Sequence, residues 1–421
     1  MTAPDPRPPA TPAADHGATP GSGPAATAPG PGGLPPPGDR PGLSLLVAAG
    51  GTGGHVFPGL ALARTILQHD PAATVRFAGT TRGIETRAVP EAGFELDLLP
   101  ILPLSRRVSL ESALSPFAAV AGVAAAARLI RRRRVDVVAG MGGYVTLPVA
   151  LGARLAGVPV VLHEQNAVPG IANRGAARVA HTVALGVPEA ARAFGDARTV
   201  VVGNPVRPEL AHLDRDTLRP EGLAAFGLEP GRRTLFVFGG SQGARRINTA
   251  LVDSAGRWAD PGAVQVLHAC GRRDEAMVRA GWDAADPGEL LVRIVPFIDR
   301  MDLAYAAADL AVTRAGALTV AELTAVGLPA VMVPLPHATA GHQAANASVL
   351  AAAGGVIHVP DAELSGARLA EEAGSLLAEP DTLAEMGKVM RDLARPRAAE
   401  DLADLVLAAA ARPGRVTGGL P

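Results

Sequence analysis

The sequence predicts an α/β fold in which two Rossmann-like parallel-sheet domains face a cleft. Three observations predict it: a length of 421 residues, a composition with 48% hydrophobic and 19% charged residues, and short apolar runs that alternate with helical periodicity. A chain of this length exceeds one ordinary hydrophobic core, so two domains are expected. Continuous apolar strands separated by helices are typical of βαβ units, whose parallel sheet is covered on both faces.

The chain begins with a segment that we exclude from the fold. Residues 1–42 are mostly Pro, Ala, Gly and Thr, with almost no large apolar side chains. Such a stretch buries too little surface to offset the entropy that it loses on ordering. We therefore expect a disordered tail over residues 1–42.

The first domain is predicted over residues 43–206 and the second over residues 207–395, with a hinge at Gly203–Asp216, where two prolines interrupt any clear period. A helix at about 396–412 is expected to pack back on the first domain. Five apolar runs are predicted as strands of the first domain: Leu43–Ala49, Thr74–Ala78, Val135–Ala139, Val158–Leu162 and Thr199–Val202. Six are predicted for the second: Thr234–Phe238, Val264–Ala269, Val292–Ile294, Leu310–Thr313, Ala330–Val333 and Val356–His358.

Composition narrows the classes of function. The net charge of −1 argues against nucleic acid as the main partner, because phosphate backbones favour an excess of Lys and Arg. Lys388 is the sole lysine, which weakens mechanisms that need a Schiff base or a P-loop lysine. The single Cys270 has no cysteine partner for an internal disulfide, which suits a reducing compartment. Neither a signal peptide nor an apolar run of about 20 residues is evident.

Each predicted domain opens with a glycine-rich loop directly after its first strand. The first loop spans Gly50–His55 and the second spans Gly239–Arg245. Glycine lets the backbone approach an oxyanion, and a following helix, which we expect from about Pro58 in the first domain, adds unpaired N–H donors. The first loop keeps neither the dinucleotide spacing nor a Gly-Lys-Ser/Thr sequence. Tight strand–helix turns favour glycine for structural reasons alone, but two such loops favour anion binding.

Ligands of parallel sheets bind beyond the carboxyl ends of the strands, where these loops lie. His55 ends the first loop, and an imidazole of near-neutral pKa there is suited to accept a proton from a hydroxyl. A histidine that only caps or orients the loop explains the same position equally well.

Six motifs stand out along the chain: Gly50–Ala61, Gly140–Tyr144, His163–Asn166, Gly203–Arg207, Gly239–Arg245 and Arg314–Glu322. They resemble motifs of the MurG family, which transfers N-acetylglucosamine (GlcNAc) to a lipid-linked acceptor and so completes lipid II of peptidoglycan. They follow the family's order from about Leu43 to the end of the second predicted sheet. The resemblance implies a GT-B glycosyltransferase fold, inverting transfer from UDP-GlcNAc to lipid I, and a peripheral location on the cytoplasmic face of the membrane.

The resemblance also implies a set of donor-binding residues. Ile298 would contact the uracil, and Glu322 would accept from the ribose hydroxyls, as a carboxylate does in Rossmann sites. Arg207 would add a cation for the departing UDP. The diphosphate would be bound by Ser241 together with Ala317, Leu318, Thr319 and Val320. The sugar hydroxyls would be contacted by Gln343 and Asn166. The site would be closed from the first domain by Thr52, Gly53 and Gly54.

Inverting transfer needs one base and forms no covalent intermediate. The resemblance favours His55 as the base, and His163 is the competing candidate because polar neighbours surround it in the sequence. The sequence has no Asp-x-Asp motif positioned like a metal-binding pair, so we expect no obligatory metal and no cofactor. For the acceptor, the resemblance implies the loop with Gly142, Gly143 and Tyr144, although Tyr144 would also suit simple packing.

An anionic membrane surface is the further expected partner. The apolar stretch Leu114–Ile130 is followed by Arg131–Arg134, and Arg106 and Arg107 precede it. Apolar surface beside several arginines suits an anionic lipid interface. Arginines at a helix C-terminus also interact favourably with the helix dipole, which explains them without a membrane. Only the lipid-linked acceptor implied by the resemblance favours the membrane interpretation.

Three alternatives remain open from the sequence. They are a related transferase with a glycolipid or natural-product acceptor, a UDP-GlcNAc 2-epimerase, and a non-catalytic UDP-sugar binder. The epimerase needs several carboxylates around the sugar, which these loops lack. One departure from the family is the stretch His337–Gly341, which commonly carries acidic residues in that family.

Overall fold

The computed structural model describes residues 42–101, 115–240, 244–336, 338 and 341–411. The predicted tail, apart from Gly42, lies outside the described residues, as do Ser241, Arg106 and Arg107. The remaining candidate residues are all described.

The first lobe is built on a parallel sheet. Within the described residues this sheet has seven strands: β1 (Ser44–Ala48), β2 (Thr74–Gly79), β3 (Glu95–Leu98), β4 (Val137–Gly140), β5 (Val160–Glu164), β6 (Thr182–Leu185) and β7 (Thr199–Val201). Their order is β3-β2-β1-β4-β5-β6-β7, and every neighbouring pair is parallel. Its helices are α1 (Gly53–His69), α2 (Glu85–Glu91), α3 (Ser115–Arg133), α4 (Thr146–Ala156) and α5 (Ile171–Ala176), with a 3-10 helix at Pro188–Ala193.

The second lobe repeats this plan. Six described strands form its parallel sheet: β8 (Arg233–Phe238), β9 (Val264–Ala269), β10 (Leu291–Val295), β11 (Leu310–Thr313), β12 (Ala330–Met332) and β13 (Val356–His358). Their order is β10-β9-β8-β11-β12-β13. The helices are α6 (Pro208–Ala211), α7 (Arg215–Phe226), α8 (Arg245–Asp253), α9 (Glu275–Ala285), α10 (Met301–Ala307), α11 (Ala317–Val326), α12 (His342–Ala353), α13 (Gly366–Ala378) and α14 (Pro380–Asp392), with a 3-10 helix at Asp361–Glu363.

The last helix, α15 (Ala398–Ala410), packs in the core of the first lobe. Leu402 and Val406 are fully buried there in one cluster with Val47 of β1 and Leu62 of α1. The chain therefore crosses to the second lobe and returns, so the first lobe's core is completed by residues from both ends of the described chain.

The structure differs from the sequence expectations at three elements. Strands β3 and β6 were not predicted, because β3 alternates acidic and apolar residues at the sheet edge and β6 has only four residues. Helix α1 starts at Gly53 rather than near Pro58. Pro58 is the sixth residue of this helix, in its second turn, where it lacks the N–H that would bond to the Gly54 carbonyl oxygen.

Both sheets reverse their strand order at their first strands. In the first lobe the reversal lies between β1 and β4, and in the second between β8 and β11. Crevices at such switch points, beyond the carboxyl ends of the strands, are where ligands bind in open parallel sheets. The glycine-rich loop after β1 and the turn into α11 after β11 stand at these two points, and α1 and α11 are in contact.

Candidate functional site

The first glycine-rich loop leads directly into the first turn of α1. Thr52 is the N-cap residue and is exposed, and Gly53 and Gly54 are the first two residues of the helix. Gly51 has a φ of 92° and donates its N–H to Glu85 Oε2 at 3.0 Å. The backbone N–H groups of Gly53 and Gly54 thus belong to the helix N-terminus, where anions are stabilised.

His55 follows in the same turn and is half-buried. Its Nδ1 lies 3.2 Å from the carbonyl oxygen of Gly50 and 3.2 Å from Thr52 Oγ1. A carbonyl only accepts, so this bond places the proton on Nδ1 and leaves Nε2 with its lone pair. Burial lowers the pKa of His55, with a smaller opposing effect from the bond to Gly50. The neutral, proton-accepting form is therefore favoured near neutral pH.

Gly142 and Gly143 cover the His55 ring from the carboxyl end of β4. Both have positive φ, 95° and 78°. A Cβ on Gly142 would lie 2.7 Å from His55 Cδ2 and 3.1 Å from Nε2, and a Cβ on Gly143 would lie 3.3 Å from Nδ1. Glycine is required here both by the backbone conformation and by the approach of the imidazole. Two of the predicted acceptor residues, Gly142 and Gly143, thus lie against the ring of the candidate base His55.

Tyr144 occupies a packing position beneath the same loop. Its hydroxyl lies 2.6 Å from Thr80 Oγ1, and the Thr80 hydroxyl in turn donates to Glu85 Oε1 at 3.3 Å. The Tyr144 ring lies against Gly51, 3.5 Å from where a Cβ on that glycine would be. Of the two uses considered for Tyr144, the geometry favours packing over a bond to phosphate.

Glu85 is a site residue that the sequence analysis missed. It is fully buried and accepts from Gly51 N, Thr80 N and Thr80 Oγ1, so it ties the glycine-rich loop to the end of β2. The available signal was its position shortly after a predicted strand, at the same edge of the sheet as the loop.

His163, the competing candidate base, is fully buried in β5. Its Nε2 lies 2.9 Å from the Gly203 carbonyl oxygen, and its Nδ1 lies 3.1 Å from Gln165 Nε2. Burial lowers the pKa of His163 to about 4. Both ring nitrogens of His163 are hydrogen-bonded inside the lobe, so neither is available to an acceptor hydroxyl. This geometry disfavours His163 as the catalytic base.

Asn166 stands where the two lobes touch. Its side-chain nitrogen donates to Glu164 Oε1 at 3.2 Å, and its side-chain oxygen accepts from Asn346 Nδ2 of α12 at 3.3 Å. Asn346, which is 4% exposed, also accepts from Ala167 N at 3.0 Å and donates to Ala315 O at 3.1 Å. Each lobe therefore fixes one end of the Asn166 amide.

The start of α11, in the second lobe, is a candidate anion-binding site. Gly316 is the N-cap residue, and the first bond of the helix runs from Val320 N to Gly316 O at 2.9 Å. The N–H groups of Ala317, Leu318 and Thr319 precede that bond, so no intrahelical carbonyl accepts from them. Such an N-terminus stabilises a bound phosphate.

Glu322 lies one turn further along α11 and is 7% exposed. Its Oε1 accepts from Arg207 Nη2 at 3.2 Å, and its Oε2 accepts from the hydroxyl of Tyr305 at 2.8 Å. Burial raises the pKa of Glu322, and Arg207 opposes that shift. The predicted ribose and diphosphate residues are thus in direct contact.

The other two described donor candidates, Ile298 and Gln343, also belong to the second lobe. Ile298 is 7% exposed, and its side chain packs in the core cluster that also contains Tyr305 and Phe238. Gln343 is the second residue of α12, and its Oε1 accepts from Leu335 N at 2.9 Å.

A polar network at the first turn of α8 was also not predicted. The side chains of Arg245 and Asn248 both donate to Asp274, and Asn248 Oδ1 lies 3.0 Å from His268 Nε2. Trp282 Nε1 donates to the other ring nitrogen of His268 at 3.3 Å. The network fixes the first turn of α8, which follows the loop. Its members come from three elements, so sequence spacing gives no signal for it.

Two further features are absent from the described residues. No group of three or more His, Cys, Asp or Glu side chains within them is arranged to hold a metal ion. In the same part of the chain, no helix has the length and apolar character that crossing a bilayer requires.

Two family models match the chain. The glycosyltransferase family 28 N-terminal domain matches residues 45–185, and the glycosyltransferase family 28 C-terminal domain matches residues 234–402. The two matches fall on the first and second lobes and together cover more than half of the chain.

Relatives agree with this assignment. A UDP-N-acetylglucosamine--N-acetylmuramyl-(pentapeptide) pyrophosphoryl-undecaprenol N-acetylglucosamine transferase of Nocardioides sp. is 46% identical over 365 residues, 87% of this chain and 98% of the relative. The crystal structure of Acinetobacter baumannii MurG is 32% identical, with a TM-score of 0.70, and the match covers 87% of this chain and all of that one. A UDP-GlcNAc 2-epimerase of Neisseria meningitidis, 13% identical with a TM-score of 0.62, matches over 87% of this chain and 100% of its own, and shares the fold alone.

Proposed function

This chain belongs to the MurG family of glycosyltransferases, and from that membership we infer that it transfers GlcNAc from UDP-GlcNAc to lipid I, forming lipid II. It is an enzyme with the two-sheet GT-B fold. The roles of individual residues below are our proposals.

One observation carries the proposed mechanism: His55 presents Nε2 as an acceptor because Nδ1 bonds to Gly50 O. We propose that Nε2 takes the proton of the acceptor hydroxyl as its oxygen attacks the anomeric carbon. The bond from that carbon to the UDP oxygen breaks, and its electron pair leaves with UDP. One displacement of this kind inverts the anomeric configuration and requires a single base. The buried environment that keeps His55 neutral supports this role.

The donor is proposed to bind at the second lobe. The free N–H groups at the start of α11 would receive the diphosphate, and Glu322 would accept from the ribose hydroxyls. Ile298 is proposed to contact the uracil, and Gln343 with Asn166 to bind the sugar hydroxyls. Thr52, Gly53 and Gly54 would close the site from the first lobe.

Leaving-group stabilisation is assigned to Arg207 together with the start of α11. Negative charge builds on the UDP oxygens as the glycosidic bond breaks, and fixed donors in a shielded site stabilise it more than water does. Arg207 lies at the N-cap of α6, in the connection between the lobes. A movement of its guanidinium from Glu322 to the diphosphate would place it on the charge that develops.

The acceptor is proposed to lie on the first lobe, over the loop with Gly142 and Gly143. That loop contacts the His55 ring, so a hydroxyl placed there would lie next to the base. Tyr144 would support the loop through packing on Gly51.

Peripheral binding to an anionic membrane is the finer part of the proposal. Arg131, Arg132 and Arg133 end α3, and Val120 on the same helix is 69% exposed. Exposed apolar surface next to cations suits an anionic interface. A lipid-linked acceptor would reach the first lobe from such a surface.

The experiment that tests the function measures UDP release from UDP-GlcNAc with and without a lipid I analogue. Release that requires the analogue, with a disaccharide product, supports the proposal. Release or epimerisation without any acceptor would favour the 2-epimerase alternative. Tight UDP-GlcNAc binding with no turnover on lipid I, in folded protein, would favour a binding protein.

A further inference from the structure

Gln165 is a buried polar residue to which the proposed mechanism assigns no role. It is the first residue after β5, lies between Glu164 and Asn166, and is 3% exposed. Its Nε2 donates to the carbonyl oxygen of Met141 at 2.7 Å and lies 3.1 Å from His163 Nδ1. Because the nitrogen of the buried Gln165 amide has two fixed contacts, the direction of the amide oxygen is also fixed.

The two contacts also settle which end is which. The carbonyl oxygen of Met141 only accepts, so the amide nitrogen must face it. His163 donates from Nε2 to Gly203 O at 2.9 Å, which leaves Nδ1 as an acceptor for the second amide hydrogen of Gln165. Both hydrogens of the amide are thereby used, and the buried His163 acts as the anchor for Gln165.

The oxygen of that amide and the His55 ring both lie beside Gly142. A Cβ built on Gly142 would lie 3.4 Å from Gln165 Oε1, 3.1 Å from His55 Nε2 and 2.7 Å from His55 Cδ2. The amide oxygen and the imidazole edge therefore flank one position, which the absent side chain of Gly142 leaves open. An amide oxygen carries partial negative charge, and no flip of this amide is compatible with Met141.

We propose that Gln165 is a positioning residue for the transfer, which acts through His55 by stabilising the imidazolium that forms there. The proposal rests on the proposed function. When the acceptor O–H bond breaks and the proton joins Nε2, the ring becomes positive while the oxygen forms its bond to the anomeric carbon and UDP leaves with the electron pair. The fixed dipole of Gln165 favours that positive charge without reorganisation during the step.

Other groups also act on the charge of His55. Glu85 of α2 favours the charged ring, whereas His342 of α12 and burial disfavour it. These groups remain in every variant proposed here, so a difference between Gln165 variants isolates the contribution of that amide.

The test compares the pH dependence of kcat/KM for Gln165→Leu and Gln165→Glu with that of the unaltered enzyme. Activity that needs neutral His55 rises with pH through the His55 pKa. Loss of the amide dipole in Gln165→Leu lowers that pKa, so the acid limb moves to lower pH and the plateau falls at least tenfold. The carboxylate of Gln165→Glu raises the pKa and moves the limb to higher pH.

A direct titration of the His55 ring by NMR, in the same three proteins without substrate, must give the same order of pKa values. Opposite displacements of the two variants support the proposal. If both variants displace the acid limb in the same direction, or if neither displaces it while kcat falls equally in both, the proposal is overturned and Gln165 is a structural residue. UDP binding at the second lobe reports folding of each variant. Failure of the unaltered enzyme to transfer GlcNAc would overturn the proposed function, whereas the NMR order tests Gln165 independently.

Discussion

Arg207 Nη2 lies 3.2 Å from Glu322 Oε1, so two residues assigned to different parts of the donor contact each other. Tyr305 occupies the other oxygen of Glu322. Both carboxylate oxygens thus have partners within the chain. We propose that a ribose hydroxyl that donates to Glu322 would replace Arg207 and free its guanidinium for the diphosphate. Donor binding and the placement of the leaving-group cation would then be coupled through this pair.

The coupling predicts an uneven effect of Arg207→Ala. We expect kcat to fall by about a hundredfold, the order found when one donor to a developing oxyanion is removed. We expect the dissociation constant for UDP-GlcNAc to change less than tenfold, because the variant no longer has to break the ion pair before the ribose binds. Steady-state kinetics and calorimetric donor titration measure the two effects. Arg192→Ala, at an exposed arginine of the first lobe, is the control, and equal losses in binding and turnover would contradict the coupling.

Asn346 supplies the second prediction because it joins the lobes. Asn346→Asp keeps the shape and the acceptor for Ala167 N but loses the donors to Asn166 Oδ1 and Ala315 O. A buried bond of this kind contributes about 1 kcal/mol, and a partner left unsatisfied costs about 1–3 kcal/mol. We expect kcat/KM to fall at least tenfold and amide exchange to rise around Asn166.

Ser348→Ala, on an exposed position of the same helix α12, is the matched control for Asn346. Unchanged exchange at Asn166 in Asn346→Asp would show that the inter-lobe contact does not order this loop.

Features of this chain that depend on local sequence could be predicted, whereas features that depend on tertiary contacts could not. Apolar strand runs and glycine-rich turns are local signals, so two parallel-sheet lobes could be predicted. The resemblance located Arg207 and Glu322 but gave no indication that they pair. Contacts across about a hundred residues of sequence depend on tertiary packing, which spacing does not encode.

The histidines illustrate the same limit. His55 lies in the first turn of α1 and His163 lies within β5, and the two were rival candidates from the sequence. Only the buried partners of His163, Gly203 O and Gln165, separate them. Glu85 was missed because a buried polar residue is recognised by its partners rather than by its neighbours in the chain.

His55→Ala is expected to affect turnover far more than donor affinity. General-base catalysis contributes about 10²–10⁴-fold, so we expect kcat to fall within that range, with less than a threefold change in the dissociation constant for UDP-GlcNAc. His69→Ala is the matched control, since His69 is exposed at the other end of α1, about 21 Å away along the helix. A comparable loss of both quantities would make His55 a residue that positions the donor.

The buried His268 predicts a loss of stability in acid. Burial lowers the pKa of His268 to about 3, while the same group in the unfolded chain titrates near 6.5. The stabilisation is therefore fully present above pH 6.5 and is lost as the pH falls towards 3, because the unfolded chain binds the proton more tightly. Between pH 6.5 and 4.5 this amounts to about 3 kcal/mol, at about 1.4 kcal/mol per pKa unit.

Denaturant unfolding of His268→Gln at these two pH values checks the contribution. The variant is expected to show a smaller decrease in the free energy of unfolding, by about 3 kcal/mol, although His163 contributes a similar dependence in both proteins. Equal decreases in the two proteins would mean that His268 is charged in the folded state.

The end of α3 predicts binding to anionic vesicles. Arg128 and Arg132 are exposed and lie one turn apart on this helix, so their side chains project from the same face. Each cation near an anionic surface contributes about 1 kcal/mol, so Arg128→Ala/Arg132→Ala is expected to weaken partitioning into phosphatidylglycerol-containing vesicles by about thirtyfold. The effect should shrink in high salt, because the attraction is screened. Cosedimentation measures it, with Arg178→Ala/Arg192→Ala, two exposed arginines elsewhere on the first lobe, as the charge-matched control. Equal weakening by both pairs, or equal binding to vesicles of phosphatidylcholine alone, would place the membrane contact away from α3.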